Sequence, residues 1–239
     1  MVGEIASAGA VAGLAAGGYA YAAMWPTSQI FGHTIIAGRD PSQIALTYDD
    51  GPNDPHTFRL LDVLARNGVS ATFFVIGKFA RQRPDIVKAL AAAGHLVGNH
   101  TMTHPLLVTR SPSVVRQQLR DANAAIEDAL GARVEFFRPP HGGRRPDVLR
   151  AARELGLKTV LWNVMGHDWN AKSAEAIERR VAAGVERNRH LGRASNVLLH
   201  DGAQAGIGVD RSQTVAATAA LLIRWKDAGL RFVTVDAWA

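Results

Sequence analysis

The stretch LTYDDGPND, residues 46–54, sets two aspartates side by side where an apolar run stops, and follows them with Gly-Pro. Asp, Asn, Gly and Pro are all turn formers, so taken alone this reads as a solvated bend without chemistry. The run before it, IALTY at 44–48, is short, apolar and β-rich, as a buried strand would be. A strand that ends in two like charges needs partners for them, and the rest of the chain must supply those partners.

Outward from this point the sequence alternates. Seven β-rich runs, IALTY, ATFFVIG, HLVGNH, VEFFRP, TVLWNV, NVLLH and RFVTVDAW, are separated by six helical patterns. Several of those patterns end in Gly, as a left-handed C-cap requires, and several begin at Ser-Pro or Arg-Pro, where proline suits a first helical turn. The alternation predicts an α/β fold of parallel strands with helical crossovers, either a closed barrel or an open doubly wound sheet. No Gly-rich dinucleotide fingerprint or phosphate loop follows the first strand, which weakens the nucleotide-binding version of the open sheet.

At 239 residues, with 47% hydrophobic and 20% charged, the chain suits a single domain with one sizeable core. It has no cysteine, so disulfides and thiolate metal sites are ruled out, and a metal must be held by His and carboxylate. The formal charge of +6 favours an anionic neighbour such as a cell wall or membrane surface. Nucleic acid is not expected, because Lys and Arg are scattered along helices with no basic run interleaved with aromatics.

Residues 5–24, IASAGAVAGLAAGGYAYAAM, carry no charge and are about long enough to span a bilayer, with Tyr19, Tyr21 and Trp25 placed as an interfacial belt. Their Ala/Gly-rich composition and Glu4 argue the other way. The expected organisation is an apolar membrane anchor or export signal over 1–24, a linker over 25–43 and a single domain over 44–239. Membrane association through 5–24 is expected, with the domain exported or facing the cell envelope and the cytoplasm as the alternative.

In either architecture the loops after the strands converge on one face, where ligands are handled. Five of the seven runs deliver ionisable groups there: Asp49 and Asp50, His100 and His104, Arg138 and His141, Asp168, and His200. The four-residue spacing of His100 and His104 would place both imidazoles on one face of a helical turn. With Asp50 as third ligand they form a set that leaves a position open for water, the form of a hydrolytic metal site. Asp49 is then free to act as a base, since neighbouring side chains at a strand end point to opposite sides.

The ordered set TYDDGP (47–52), HTMTH (100–104), RPPHG (138–142), HDW (167–169) and LLH (198–200) resembles the polysaccharide deacetylases of carbohydrate esterase family 4 over roughly residues 43–239. The resemblance implies a distorted (β/α)7 barrel, TIM-barrel-like, which the strand count matches. It implies Asp49 as general base, with Asp50, His100 and His104 as metal ligands and His200 as general acid. Arg138 would pair with Asp49, and Asp168 would orient His200. Leu198 and Trp169 would shape the acetyl pocket, and the backbone N–H of His141 would donate to the oxyanion. The implied cofactor is a divalent metal, Zn²⁺ first and Co²⁺ or another first-row ion next. The implied substrate is an acetylated glycan, with N-acetylglucosamine units of peptidoglycan or a chitin-like oligomer ahead of O-acetylated xylan or a small or lipid-linked amide, and the protein is expected to be a monomer.

Three positions depart from the family pattern: Tyr48 stands for Phe, His141 for Tyr, and Met165 for the first Asp of the fourth motif. Activity is expected to survive these changes and specificity to differ. His167 is expected at the groove edge, and His33, His56, His95 and His190 in surface or capping roles.

Overall fold

The computed structural model describes residues 16–239. Helix α1 occupies residues 16–24, and an irregular stretch leads from it to β1 (Gln43–Asp49). There follow α2 (His56–Asn67), β2 (Thr72–Val75), α3 (Gly77–Gln82), α4 (Pro84–Ala92), β3 (Leu96–Asn99), α5 (Pro112–Leu130), β4 (Phe136–Phe137) and α6 (Pro146–Glu154). The chain continues through β5 (Lys158–Thr159), β6 (Val164–Met165), α7 (Ala174–His190), β7 (Ser195–His200), α8 (Ser212–Asp227) and β8 (Arg231–Phe232).

Every strand pairing is parallel, in the order β5-β4-β3-β2-β1-β7-β6, with β8 added at the start of β1. The curled sheet with its surrounding helices is the expected distorted barrel. TVLWNV, however, is not one strand. Its start pairs with β4 at one edge of the sheet and its end pairs with β7 at the other, so the covalent chain, rather than a ladder, spans the gap. The middle of the run is engaged elsewhere: Leu161 donates its N–H to Ile35, and its carbonyl accepts from Arg138 and Asn196 side chains reaching across the interior. Helix α3 is a second departure. Gly77, read as a strand end, instead opens a short helix pressed against α5, where a Cβ would lie 2.8 Å from the Ala122 Cα.

The period of two along β1 sorts the side chains. Ile44, Leu46 and Tyr48 join the large apolar cluster beneath the helices, while Ala45 joins a smaller cluster with Phe74, Phe136 and Val160. Tyr48 is buried, stacked on Phe73, with its hydroxyl 3.0 Å from Thr218 Oγ1 on α8, so the extra oxygen has a partner. Thr47 and Asp49, on the other parity, reach the Arg138 guanidinium.

Side-chain caps start the two longest helices among the described residues, α5 and α7. Ser111 accepts from the Val114 N–H to open α5, and Ser173 from the Ala176 N–H to open α7. Before β1, the buried Arg144 donates to the carbonyls of Ala23, Trp25 and Ser28, and Ile35 bridges to Val160, so residues 23–35 lie against the barrel. Of the 5–24 run, residues 5–15 lie outside the described residues. Among the described residues no helix is long and apolar enough to cross a membrane.

Candidate active site

The strand ends converge on a cavity of about 450 Å³ lined by Asp49, Asp50, His100, His104, His141 and His200, with Trp169 and Leu198 on its wall. Arg138 and Asp168 stand just behind the lining, each bonded to one of those residues.

Asp49 and Asp50 separate because the chain bends between them. Asp50 adopts a left-handed φ of 72°, after which Gly51 and Pro52 carry the chain away. Asp49 keeps the inward direction of the strand, and Asp50 turns toward the histidines. His104 Nε2 lies 3.1 Å and His100 Nε2 3.4 Å from Asp50 Oδ1, an oxygen that is buried and has no hydrogen-bond partner. The three ligand atoms lie within 4.8 Å of one another.

The outer ring nitrogens fix the tautomers. His100 Nδ1 is 2.7 Å from the Arg138 carbonyl and His104 Nδ1 is 2.8 Å from Gln204 Oε1. Both oxygens accept, so each Nδ1 carries the proton and each Nε2 turns a lone pair toward Asp50. Two neutral imidazoles, one carboxylate and an unpartnered buried oxygen fit a divalent cation with a vacant coordination position.

The histidines do not reach this arrangement by the helical turn that their spacing suggests. Residues 100–104 form a loop with left-handed φ at Thr101 (67°) and His104 (59°), and Thr101 Oγ1 accepts from the His104 N–H at 3.0 Å. The tight loop brings the ring centroids to 4.9 Å. Thr101 therefore supports a candidate ligand by holding its backbone.

Asp49 Oδ1 accepts from Arg138 Nη1 at 2.8 Å. Arg138 is 0% exposed, lies over the Phe74 ring, and also donates to Thr47 Oγ1 and the Leu161 carbonyl. Burial draws its pKa down, and the Asp49 charge opposes that. On the neighbouring strand, His200 Nδ1 lies 2.8 Å from Asp168 Oδ1, while Asp168 Oδ2 accepts from the His200 N–H and from Thr214 Oγ1. Burial disfavours the His200 imidazolium, but the Asp168 charge and hydrogen bond outweigh it and raise the pKa to about 9. Trp169 stands edge-on to His200 at 5.2 Å, 45% exposed, and Leu198 is buried in the cavity floor. His141, with a left-handed φ of 58°, sets its ring 4.8 Å from His104.

Of the remaining histidines, His167 does line the cavity. His33 and His190 are exposed, but His56 and His95 are buried rather than superficial. His95 accepts from the Ala71 N–H and packs on Phe73, a structural role. Sequence reasoning missed Gln204, Thr214, Thr47 and Asn196. A signal existed for Thr47, a polar residue two positions before Asp49 on the same strand face; Gln204 and Thr214 carry none.

Residues 37–160 match the family described as polysaccharide deacetylase. A chitooligosaccharide deacetylase of Sinorhizobium fredii is 40% identical over 199 residues, covering 81% of this chain and 90% of that protein. A peptidoglycan-N-acetylglucosamine deacetylase of Bacillus cereus is 39% identical over 195 residues, covering 81% and 86%. The solved structure of the Bc1960 peptidoglycan N-acetylglucosamine deacetylase superposes with a TM-score of 0.77 at 31% identity, covering 85% of this chain and 91% of that one. With a parallel distorted barrel and relatives matched along most of their length, the chain belongs to the polysaccharide deacetylase family, a family of metal-dependent hydrolases.

Proposed function

We propose that the protein removes N-acetyl groups from N-acetylglucosamine units of a polysaccharide, with Asp49 as base and His200 as acid. The observation that carries this reading is the pairing of two titrating groups with opposite partners beside one three-ligand cluster: Asp49 with the Arg138 guanidinium, His200 with the Asp168 carboxylate. An amide hydrolase needs one group that accepts a proton and another that gives one.

Asp50, His100 and His104 would hold a divalent ion, Zn²⁺ first by donor type. Such an ion supplies Lewis-acid polarisation of the acetyl carbonyl and makes water acidic enough to attack at neutral pH. Asp49 takes the proton of the attacking water, and its pairing with buried Arg138 keeps it oriented. The backbone N–H of His141 donates to the oxyanion, a contact typically worth about 3–4 kcal/mol. His200 then protonates the departing amine, while Asp168 compensates its charge before the transfer. Trp169 and Leu198 give the acetyl methyl an apolar seat.

The names of the relatives support peptidoglycan or a chitin-like oligomer as substrate, ahead of O-acetylated xylan or a small or lipid-linked amide. A catalytically silent glycan-binding protein is disfavoured, because the base, the acid and all three ligands are kept. We further assign 44–239 as a monomeric catalytic domain at the cell envelope, held or exported through the charge-free run 5–24. The deciding experiment is acetate release from peptidoglycan, chitin oligomers and acetylxylan, abolished by a chelator and restored by Zn²⁺ or Co²⁺. Release from none of them overturns the reading.

A further inference from the structure

Beside the acetyl cavity lies a second groove of about 650 Å³, and the two share Trp162, Met165 and His167 as a common wall. Its far wall is Trp25, 56% exposed and stacked on Tyr21 with ring centroids 6.0 Å apart. The Trp25 backbone is fixed, because its carbonyl accepts from Arg144 Nη2 at 2.8 Å and its N–H donates to the Tyr21 carbonyl. An indole exposed on a rigid backbone beside a cavity is a platform for the apolar face of a sugar ring.

The third wall is one stripe of α7. Arg180, Ala183, Gly184 and Arg187 recur at the three- and four-residue spacing that keeps them on a single face, and all four line the groove. Gly184 is required for the close approach of this helix: a Cβ there would fall 2.7 Å from Val164 Cγ1 on β6. Its small stripe-mate Ala183 leaves room between the arginines. The side chains of Arg180 and Arg187 have no ion pair or hydrogen bond among the described residues, whereas Arg189 pairs with Glu186 and Arg224 with Glu178. No Asp or Glu lines the groove. Two unpaired guanidiniums facing an acid-free groove suit a carboxylate, to which each fork can donate in bidentate fashion.

We propose that this groove seats the sugar next to the one being deacetylated, with Trp25 as its platform and Arg180 and Arg187 pairing with a carboxylate carried by that sugar. The inference rests on the deacetylase reading and narrows it to anionic glycan strands in preference to neutral ones. Peptidoglycan strands freed of their stem peptides meet this requirement through the carboxylate left on every second sugar, and chitin-like oligomers do not.

The test uses soluble peptide-free glycan fragments of peptidoglycan, the same fragments with their carboxylates reduced to alcohols, and chitopentaose. For the wild type, kcat/KM is expected to be highest on the carboxylate fragments, with the preference shrinking as salt is raised. Arg180→Gln/Arg187→Gln should lower kcat/KM on the carboxylate fragments about tenfold, mainly through KM, and at least several-fold more than on the reduced fragments. Trp25→Ala should raise KM on both, by about fivefold or more. Equal losses on charged and reduced fragments, or no loss, overturn the proposal. Calorimetric binding of the carboxylate fragments to an Asp49→Asn protein, with and without the arginine changes, separates the groove from the chemistry. Arginine-dependent binding without turnover in the wild type would sink the deacetylase reading and leave the groove standing, whereas arginine-independent binding sinks the groove alone.

Discussion

Arg138 Nη1 donates to Asp49 Oδ1 at 2.8 Å, and neither side chain is more than 4% exposed, so the ion pair is buried, with only Asp49 facing the cavity. A buried pair is costly to break from one side, because the remaining charge keeps its desolvation penalty. Arg138→Met should therefore cost about 3–5 kcal/mol of stability, read from urea unfolding, together with most of the activity. Arg138→Lys keeps the charge but loses the second branch of the fork to the Leu161 carbonyl. It should unfold closer to the wild type than Arg138→Met; equal losses for the two would show that charge is not what matters at this position.

The pairing of His200 with Asp168 makes a prediction about pH. A general acid works in its protonated form, and with its pKa raised to about 9 His200 stays protonated through neutrality, so kcat/KM should fall only as pH rises through about 9. Asp168→Asn removes the charge that outweighs burial, so the imidazolium is lost earlier. The alkaline limb of the profile should move down by about 1–3 pH units. The same raised pKa means that the pair stabilises the fold fully below the ordinary histidine value of about 6.5 and that this contribution disappears through about pH 9. An alkaline limb that stays in place in the variant would remove His200 as the acid.

Metal affinity should depend on a residue that touches no metal. Gln204 Oε1 fixes the His104 tautomer from outside, so Gln204→Ala is expected to weaken binding about 10–100-fold, measured by chelator competition. His100→Ala, which removes a candidate ligand, should leave the protein nearly metal-free. Unaltered affinity in the Gln204 variant would mean that His104 is oriented by its loop alone.

Gly202 lies against the bend that separates the two aspartates. A Cβ at this position would sit 2.2 Å from the Asp50 carbonyl oxygen and 2.9 Å from the Gly51 N, both backbone atoms that have little room to yield. Gly202→Ala should cost about 1–3 kcal/mol and lower Tm by several degrees, and it should also reduce metal content by displacing Asp50. A variant that melts and binds metal like the wild type would show that the bend is softer than its packing implies.

Much of this was legible in the sequence, for identifiable reasons. Strand ends are marked by turn residues, and the groups that follow them, Asp49, His100, Arg138, Asp168 and His200, meet because parallel strands place their ends on one rim. What the sequence concealed depended on backbone shape or on long-range contacts. The left-handed residues Thr101 and His104 make a loop where spacing alone suggested a helical turn. TVLWNV has the composition of one strand but is drawn across the barrel gap by Ile35, Arg138 and Asn196, residues distant in sequence. Gln204 lies 100 positions from the histidine it holds, and no local pattern announces it.

Asp49 is the residue on which the proposed hydrolysis depends most directly. Acetate released from chitopentaose should be followed for wild type and Asp49→Asn at matched, independently measured metal content. Turnover by the wild type and a loss of about 10²–10⁴-fold in the variant, with metal still bound, are expected from the role of Asp49 as base. Near-normal turnover by Asp49→Asn would contradict it.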